Sequence, residues 1–249
     1  MVESIEAPER DPYEILFSQW AGETGLVKGF PQYNDNMITS WKLGTPYGEI
    51  INSAMLEAEY LFAHDLLREL QGSNTPGAIV EFGVYEGDWL KHLSDSLKTL
   101  NFDRPIYGFD SFEGLPAPIQ EIDLIGFAEG DLHADFDRVY KFLECDKRDI
   151  TLVKGWFCDS LKLEPAQSIR EICFARIDCD LFAGAMDALS YLKDRLVDGA
   201  ILVFDDWSHI MNVGESRAFF EWAPTSGLTF EFLALNGWVH LYLRVRRGE

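Results

Sequence analysis

The sequence predicts an α/β protein with a doubly wound, mostly parallel sheet. From residue 78 onward, short apolar runs typical of buried strands alternate with segments in which apolar residues recur at helical spacing. This alternation is typical of parallel strands joined by right-handed crossover helices that cover both faces of a sheet. Two later strand-like runs, residues 228–234 and 239–245, flank an Asn-Gly turn and predict an antiparallel hairpin at one edge.

The N-terminal part has a different pattern. Residues 1–48 are rich in Gly, Pro, Asn and aromatic residues and show no sustained periodicity, so we expect an ordered cover. Apolar residues at helical spacing over residues 49–71 predict a long amphipathic helix, which the turn-forming segment 72–77 ends. We therefore expect an N-terminal lid and helix over residues 1–77 and a ligand-binding domain over residues 78–249.

Five strand-like runs precede the hairpin, and each is dense in apolar residues. Near-continuous apolar runs suit strands that are buried on both faces of a sheet. These runs are residues 78–83, 105–110, 150–154, 173–178 and 200–205. The helices predicted among them have apolar faces within residues 90–100, 132–143 and 186–192. With the hairpin, the predicted sheet has seven strands.

Composition and charge exclude several classes of function. With 249 residues, 47% of them hydrophobic, the chain is long enough for one large domain and an extension. The net charge of −21 repels phosphate backbones and anionic lipid surfaces, so we expect no nucleic-acid or membrane partner. The first residues do not resemble a secretory leader, and we expect a soluble, cytoplasmic protein. The cysteines fall in no Cys-x-x-Cys spacing, so buried free thiols are expected.

Aspartates follow two of the predicted strands. Asp178 lies at the end of one apolar run, and Asp205 and Asp206 lie at the end of a later one. If the strands are parallel neighbours, the acids meet at one edge, where two carboxylates about 4 Å apart repel by roughly 4 kcal/mol. A divalent cation offsets this repulsion, and oxygen ligands favour magnesium, manganese or calcium over zinc. Alternatively, Asp205 and Asp206 cap a turn, and Asp180 is an N-cap or a group that supports the ligands.

A glycine turn follows the first strand of the predicted sheet. Ligands bind at such positions in doubly wound sheets. The pattern Glu81-x-Gly83-x-x-x-Gly87 lacks the closely spaced glycines that let a backbone approach a pyrophosphate. An acidic turn suits a cationic ligand without phosphate, such as S-adenosylmethionine (SAM), with Glu81 near its amino acid portion and the glycines making room. An ordinary strand-to-helix turn explains the same pattern.

Later strand ends supply residues suited to a nucleoside. Asp110 ends the second strand, about 20 to 30 residues after the glycines, which is the interval expected for a carboxylate that binds ribose hydroxyls. Phe157, next to Trp156, offers an aromatic face, and Asp159 offers an acceptor for the amine of adenine. Alternatively, Asp159 is a helix N-cap and the aromatic residues belong to the core.

Taken together, these segments resemble class I SAM-dependent methyltransferases, and more closely the metal-dependent macrocin and mycinamicin sugar O-methyltransferase family. The resemblance rests on residues 80–87, 109–116, 155–161, 175–181 and 203–207. It implies a seven-stranded Rossmann-like methyltransferase sheet with an antiparallel hairpin, with SAM at the glycine turn. It also implies an enzyme that methylates a hydroxyl of a small molecule, often a natural-product deoxysugar or related polyol.

The resemblance also implies site residues. Magnesium, or manganese, is expected on Asp178, Asp205 and Asp206, where it would lower the pKa of the acceptor hydroxyl. The predicted cofactor-binding residues are Glu81, Gly83, Tyr85, Gly87, Asp110, Ser111, Phe157, Asp159 and Ser160.

Several residues are candidates for the general base. The family's proposed histidine base precedes the helix predicted over residues 132–143, and the nearest histidine, His133, is predicted inside that helix. We take His133, His209 and Asp178 as the candidate catalytic residues. The histidines assigned to packing or to the surface are His64, His92 and His240. Cys179 replaces the glycine usual in the family between the two acids, and Leu181 stands where catechol-type relatives have a lysine base.

Two other functions remain open from the sequence. Asp178-Cys179-Asp180 matches the Asp-x-Asp of metal-dependent glycosyltransferases that use a nucleotide sugar, although this leaves the glycine turn unexplained. A SAM-binding protein without catalytic activity is the third possibility. The N-terminal aromatic residues, among them Trp41 and Tyr47, suit a lid over a hydroxylated small-molecule substrate or the interface of a homodimer.

Overall fold

One mixed sheet organises the described part of the chain. The structure is a computed structural model that describes residues 20–28, 48–123, 126–207, 213–236 and 240–248, and for residues 48–58 and 236 it describes the backbone alone. Trp41, Tyr47 and His209 therefore lie outside the described residues. The predictions that rest on those three residues stay predictions.

The elements follow the predicted alternation of strand and helix. The strands are β1 (Val27–Lys28), β2 (Ala78–Phe82), β3 (Ile106–Asp110), β4 (Ile150–Lys154), β5 (Ile172–Ile177), β6 (Leu196–Phe204), β7 (Leu228–Asn236) and β8 (His240–Arg247). The helices are α1 (Gly48–Gly72), α2 (Asp88–Leu100), α3 (Phe136–Phe142), α4 (Phe157–Ser160), α5 (Phe182–Leu192) and α6 (Gly214–Ser226). Among the described residues, no helix is both long enough and apolar enough to cross a membrane.

The strand order is β1-β7-β8-β6-β5-β2-β3-β4. Strands β2 to β6 pair in parallel, and β8 is antiparallel to both β6 and β7, as the Asn-Gly hairpin predicted. Strand β2 lies between β3 and β5, so the chain winds outward from it in both directions. The carboxyl ends of β2 and β5 are therefore the topological switch point, where ligands bind in such folds.

The predicted seven strands are present, and the described residues add strand β1 and the helices α4 and α6. Strand β1 extends the edge by pairing in parallel with β7, and two residues are too few to leave a readable pattern. Helix α6 was not predicted, because its Gly, Ser, Thr and Pro content obscures the apolar stripe. The predicted helix over residues 132–143 is wrong at its start, since Asp135 accepts a hydrogen bond from the Arg138 N–H and caps a helix that begins at Phe136. His133 therefore precedes α3.

Strands β2 and β5 are buried along their whole length, yet each carries one charged residue. Glu81 and Arg176 are register partners in the β2–β5 ladder. The same row continues through Val203 of β6 to Tyr242 of β8. The row lies on the sheet face that α1 and α2 cover, in an apolar layer that includes Leu67 of α1 and Leu90 of α2. An ion pair in that layer needs a structural reason, because charged residues are rarely buried without a partner.

The backbone at position 83 of the glycine turn has room only for glycine. Gly83 has φ +90°, and a Cβ built there would lie 1.6 Å from the carbonyl oxygen of Asp178. The turn after β2 and the turn after β5 thus touch at Gly83. This contact brings the end of β5 beside the glycine turn.

We expect Gly83→Ala to lower the free energy of unfolding by about 3 to 5 kcal/mol, because left-handed strain and a backbone clash add. The matched control is Gly227→Ala, at φ +75° with nothing within 4 Å of its Cβ, where about 1 to 2 kcal/mol of strain is expected alone. Urea unfolding of both variants measures the difference. Equal losses would contradict the close approach at Gly83.

Candidate functional site

The structure brings the three predicted metal ligands together. The N–H of Asp178 donates to the Phe82 carbonyl at 2.8 Å, and that of Asp205 donates to the Ile177 carbonyl at 2.9 Å. These bonds extend the parallel ladders to the last residue before each turn. One carboxylate oxygen each from Asp178, Asp205 and Asp206 lies within 4.8 Å of the others. This spacing and the oxygen-only ligand set fit a hard divalent cation such as Mg²⁺ or Mn²⁺.

A buried arginine joins the acids and was missed by the sequence reasoning. Arg176 is 4% exposed and donates to Glu81 Oε1 at 2.6 Å, and it also pairs with one oxygen each of Asp178 and Asp205. Its guanidinium lies 4.6 Å from the centre of the Trp89 ring. One fixed planar cation thus holds three carboxylates in place. The Asp178 and Asp205 side chains also hydrogen-bond to each other, so a divalent ion would take the place of the proton between them.

A histidine reaches the site from β8. His240 Nε2 lies 3.2 Å from Asp205 Oδ1, and its Nδ1 lies 2.7 Å from Oε1 of Glu59, which belongs to α1 and is 2% exposed. The Tyr242 hydroxyl donates to the same Glu59 oxygen at 2.8 Å. His240 therefore belongs to the acid network, although the sequence assigned it to packing or the surface. This group ties α1 and the hairpin to Asp205.

A third buried glutamate connects the two turns that carry the acids. Glu215 of α6 is fully buried. Its Oε1 accepts the N–H groups of Cys179 at 2.9 Å and Asp180 at 3.2 Å, and its Oε2 accepts the N–H of Asp206 at 3.2 Å. Each donor is the second or third N–H beyond the end of its strand. The carboxylate of Glu215 therefore satisfies backbone groups that the sheet leaves unpaired.

Asp180 contacts one of the candidate ligands and lines the cavity described below. Leu181, not Asp180, is the N-cap residue of α5, so the N-cap alternative for Asp180 is wrong. The Asp180 side chain is 6% exposed and hydrogen-bonds with Asp206. Two carboxyl groups in such contact share a proton, and burial raises the pKa of Asp180 to about 6.

The pKa values follow from an excess of acids. Among the described residues, this buried network contains more carboxyl groups than basic side chains: Glu59, Glu81, Asp178, Asp180, Asp205, Asp206 and Glu215 against Arg176 and His240. Burial and the neighbouring acids hold the pKa of Asp178 and of Asp206 well above the usual range. Burial acts the same way on Asp205, but Arg176 and His240 outweigh it and lower its pKa. A divalent cation would relieve this excess of negative charge.

A cavity of about 480 Å³ begins at Asp178 and runs along the ends of β2, β3 and β4. Its volume lies in the range of small-molecule and cofactor sites. Six of the predicted site residues line it: Gly83, Tyr85, Asp110, Ser111, Phe157 and Asp178. Trp156, Ala183 and Gly184 add aromatic and small surfaces, which suit the flat base of a nucleoside.

Four predicted cofactor residues do not line this cavity. Glu81 lies under the turn and pairs with Arg176, and Gly87 is the N-cap residue of α2 with φ 89°. Asp159 is exposed within α4, and the Ser160 hydroxyl donates to the Gly155 carbonyl at 3.3 Å. Trp156, not Asp159, is the N-cap residue of α4.

Asp110 organises the glycine turn as well as lining the cavity. Its Oδ2 accepts the N–H groups of Val84 at 2.7 Å and Tyr85 at 2.9 Å, and its Oδ1 accepts that of Phe112 at 2.6 Å. Three bonds fix the carboxylate and leave about one of its four lone-pair directions for a ligand.

The cavity also contains residues that the sequence reasoning did not select. Asp187 of α5 and Cys158 line it near Phe157. The signal that could have identified Asp187 is a lone acid in the otherwise apolar helix Phe182–Leu192. His133 is exposed, and its neighbour Leu132 lines the cavity.

Comparison with known proteins identifies similar sequences. The family model for macrocin O-methyltransferase (TylF) matches residues 54–229. The chain is 26% identical over 155 residues to demethyldecarbamoylnovobiocin O-methyltransferase of Streptomyces niveus, covering 57% of this chain and 56% of the relative. It is 29% identical over 147 residues to 8-demethyl-8-(2,3-dimethoxy-alpha-L-rhamnosyl)-tetracenomycin-C 4'-O-methyltransferase of Streptomyces olivaceus, covering 53% of this chain and 54% of the relative. The matches thus span about half the length of these curated relatives.

Solved structures share the fold. The O-methyltransferase NovP superposes with a TM-score of 0.63 at 22% identity, over 76% of this chain and 80% of NovP. CalS11, calicheamicin methyltransferase, also gives 0.63, at 21% identity over 94% of this chain and 93% of that chain. The predicted α/β doubly wound fold with an antiparallel hairpin is confirmed.

Stability is expected to depend on pH through Glu81. Its carboxyl group is fully buried, and burial raises its pKa from 4.5 to about 7 despite the neighbouring Arg176. The folded protein therefore keeps a proton that the unfolded chain releases, so the free energy of unfolding falls as pH rises from 4.5 to 7. At about 1.4 kcal/mol per pKa unit, this contribution amounts to roughly 3 kcal/mol.

We expect Glu81→Gln to remove this pH dependence while keeping a carbonyl oxygen for Arg176. The stability difference between the variant and the wild type should grow by roughly 3 kcal/mol across that pH range in urea unfolding. The control is Glu171→Gln, at an exposed position. A difference that stays constant with pH would show that Arg176 keeps Glu81 ionised.

Proposed function

Since the chain belongs to the macrocin O-methyltransferase (TylF) family, we propose that it is a SAM- and divalent-metal-dependent O-methyltransferase that methylates a hydroxyl of a small molecule. The family match confirms the resemblance indicated by the sequence motifs. The observation that carries the proposal is the position of Asp178, which lines the cavity and also belongs to the group of three candidate metal ligands. A methyl donor in the cavity and an acceptor at the ion would therefore be neighbours.

The acceptor we favour is a sugar of a natural product, or a related polyol. The name of the S. olivaceus relative places methylation on a rhamnosyl group, which supports this choice. The acidic cluster also suits a neutral polyol better than a phosphorylated or carboxylated acceptor, because like charges repel.

The cavity suits SAM in charge and shape. Its wall includes the carboxyl groups of Asp110, Asp178, Asp180 and Asp187, which favour a cationic ligand. Asp110 is our candidate for the ribose hydroxyls, and Phe157 is our candidate for the adenine face. SAM, when bound, supplies an activated methyl group on a sulfonium centre.

The acids provide the second part of the mechanism. Asp178, Asp205 and Asp206 would hold the divalent ion, which would lower the pKa of the acceptor hydroxyl. Arg176 fixes Asp178 and Asp205 through charge-assisted hydrogen bonds. Catalysis then rests on alignment of donor and acceptor and on charge stabilisation.

For the general base of the reaction, we propose two histidines as candidates. His133 is a candidate because it is exposed at the start of α3, next to the cavity residue Leu132. His209 keeps its place as the second candidate. The glycosyltransferase alternative receives no support from the family match, and a homodimer remains a prediction.

We expect Asp206→Ala to lower turnover at least about 1000-fold and to abolish the metal dependence, because a ligand is lost. Asp206 is a better position for this test than Asp205, because the Asp205 side chain also contacts Arg176 and His240. SAM affinity measured by calorimetry should change by less than about threefold. The acceptors used in the turnover assay are rhamnosylated natural products and simple deoxysugars.

The control for this prediction is Asp194→Ala. This exposed aspartate lies in the turn between α5 and β6, at the amino end of β6 and therefore at the opposite end of that strand from Asp205 and Asp206. It should behave as the wild type. Full wild-type activity in excess EDTA would refute the metal role, whereas tight binding of a nucleotide sugar in place of SAM would refute methyl transfer.

A further inference from the structure

Glu215 occupies a position that neither the cofactor cavity nor the candidate metal ligands explain. It is fully buried in α6 and does not line the cavity. Both of its oxygens accept backbone N–H groups, and it is absent from the groups of described residues that could hold an ion. Its role must therefore lie in the backbone that it holds.

The two turns held by Glu215 carry the candidate metal ligands. One turn follows β5 and contains Asp178, and the other follows β6 and contains Asp206. Beyond the strands, the ladder bonds stop at the N–H groups of Asp178 and Asp205. The next N–H groups on each side, those of Cys179 and Asp206, both donate to Glu215. Glu215 thus continues the connection between the turns where the sheet no longer provides one.

We propose that Glu215 is a positioning residue that sets the distance between the two acid-bearing turns and thereby the affinity for the divalent ion. This inference rests on the proposed metal-dependent function. A planar carboxylate with one oxygen on each turn is a rigid spacer, because its two oxygens are held at a fixed separation. If the spacer is lost, the oxygens of Asp178 and Asp206 are no longer preorganised for a common ion, and supporting groups of this kind typically contribute 10- to 100-fold to metal affinity.

If Glu215 only stabilised the fold, a different experimental result would be expected. An acid in the first turn of a helix stabilises that helix, and three satisfied N–H groups stabilise the fold. These effects would appear in the melting temperature without changing the affinity of the folded protein for an ion. Metal affinity measured on the folded variant therefore separates the two roles.

The test compares Glu215→Gln with Glu221→Gln, the same substitution at an exposed position of the same helix. The Gln side chain keeps one acceptor oxygen but replaces the other with an NH₂ group. This NH₂ group cannot accept a hydrogen bond from the backbone N–H groups that it would face. We expect Mn²⁺ affinity, measured by electron paramagnetic resonance without acceptor, to fall about 10- to 100-fold. Backbone hydrogen exchange should accelerate at Cys179, Asp180 and Asp206. Saturating Mn²⁺ should restore turnover in this variant, whereas it should not restore Asp206→Ala.

The outcomes separate this inference from the proposed function. Unchanged Mn²⁺ affinity in folded Glu215→Gln, with wild-type protein that binds Mn²⁺, would overturn the positioning role alone. Wild-type protein that binds no Mn²⁺ would overturn the metal-dependent function and the inference with it. Circular dichroism verifies folding. If Glu215→Gln does not fold, Glu215→Asp replaces it, since the shorter side chain keeps both oxygens but reaches the turns less well, and the same loss of affinity is expected.

Discussion

The site depends on one guanidinium shared among three carboxylates. Arg176 reaches Glu81, Asp178 and Asp205 from near the carboxyl end of the buried strand β5. A single positive charge cannot neutralise three ionised acids, and burial accordingly raises the pKa of Glu81 and of Asp178. The candidate ligands lie at the carboxyl ends of β5 and β6, where a divalent ion would favour their ionised form. Charge therefore links the polar interior to the proposed reaction centre.

The sheet topology makes this arrangement possible. Because β2 and β5 are parallel neighbours at the switch point, Glu81 and Arg176 lie side by side on one face, and the glycine turn touches the turn after β5. The cavity and the acids thereby share Asp178. Elements outside the central strands add support, since α1 and β8 hold Asp205 through Glu59 and His240, and α6 holds both turns.

The sequence was sufficient for the residues that follow strands and insufficient for those that act through tertiary contacts. Asp178 and Asp205 were found because apolar runs mark strand ends and parallel ladders keep those ends level. Arg176 lies within the motif of residues 175–181, but the sequence assigns it no role, because its partner Glu81 is identified only by the strand order. Glu215 was missed together with its helix. His133 was placed inside α3, since apolar spacing extended past the Asp135 cap.

The most direct test of this account is diffraction from crystals of the protein soaked in Mn²⁺ and recorded at the manganese absorption edge. The account predicts one strong anomalous peak bounded by Asp178, Asp205 and Asp206, about 2.0 to 2.6 Å from an oxygen of each. Arg176 should keep its contacts with the remaining oxygens. A map with no peak there, or with manganese bound between Glu59 and His240 instead, would contradict it.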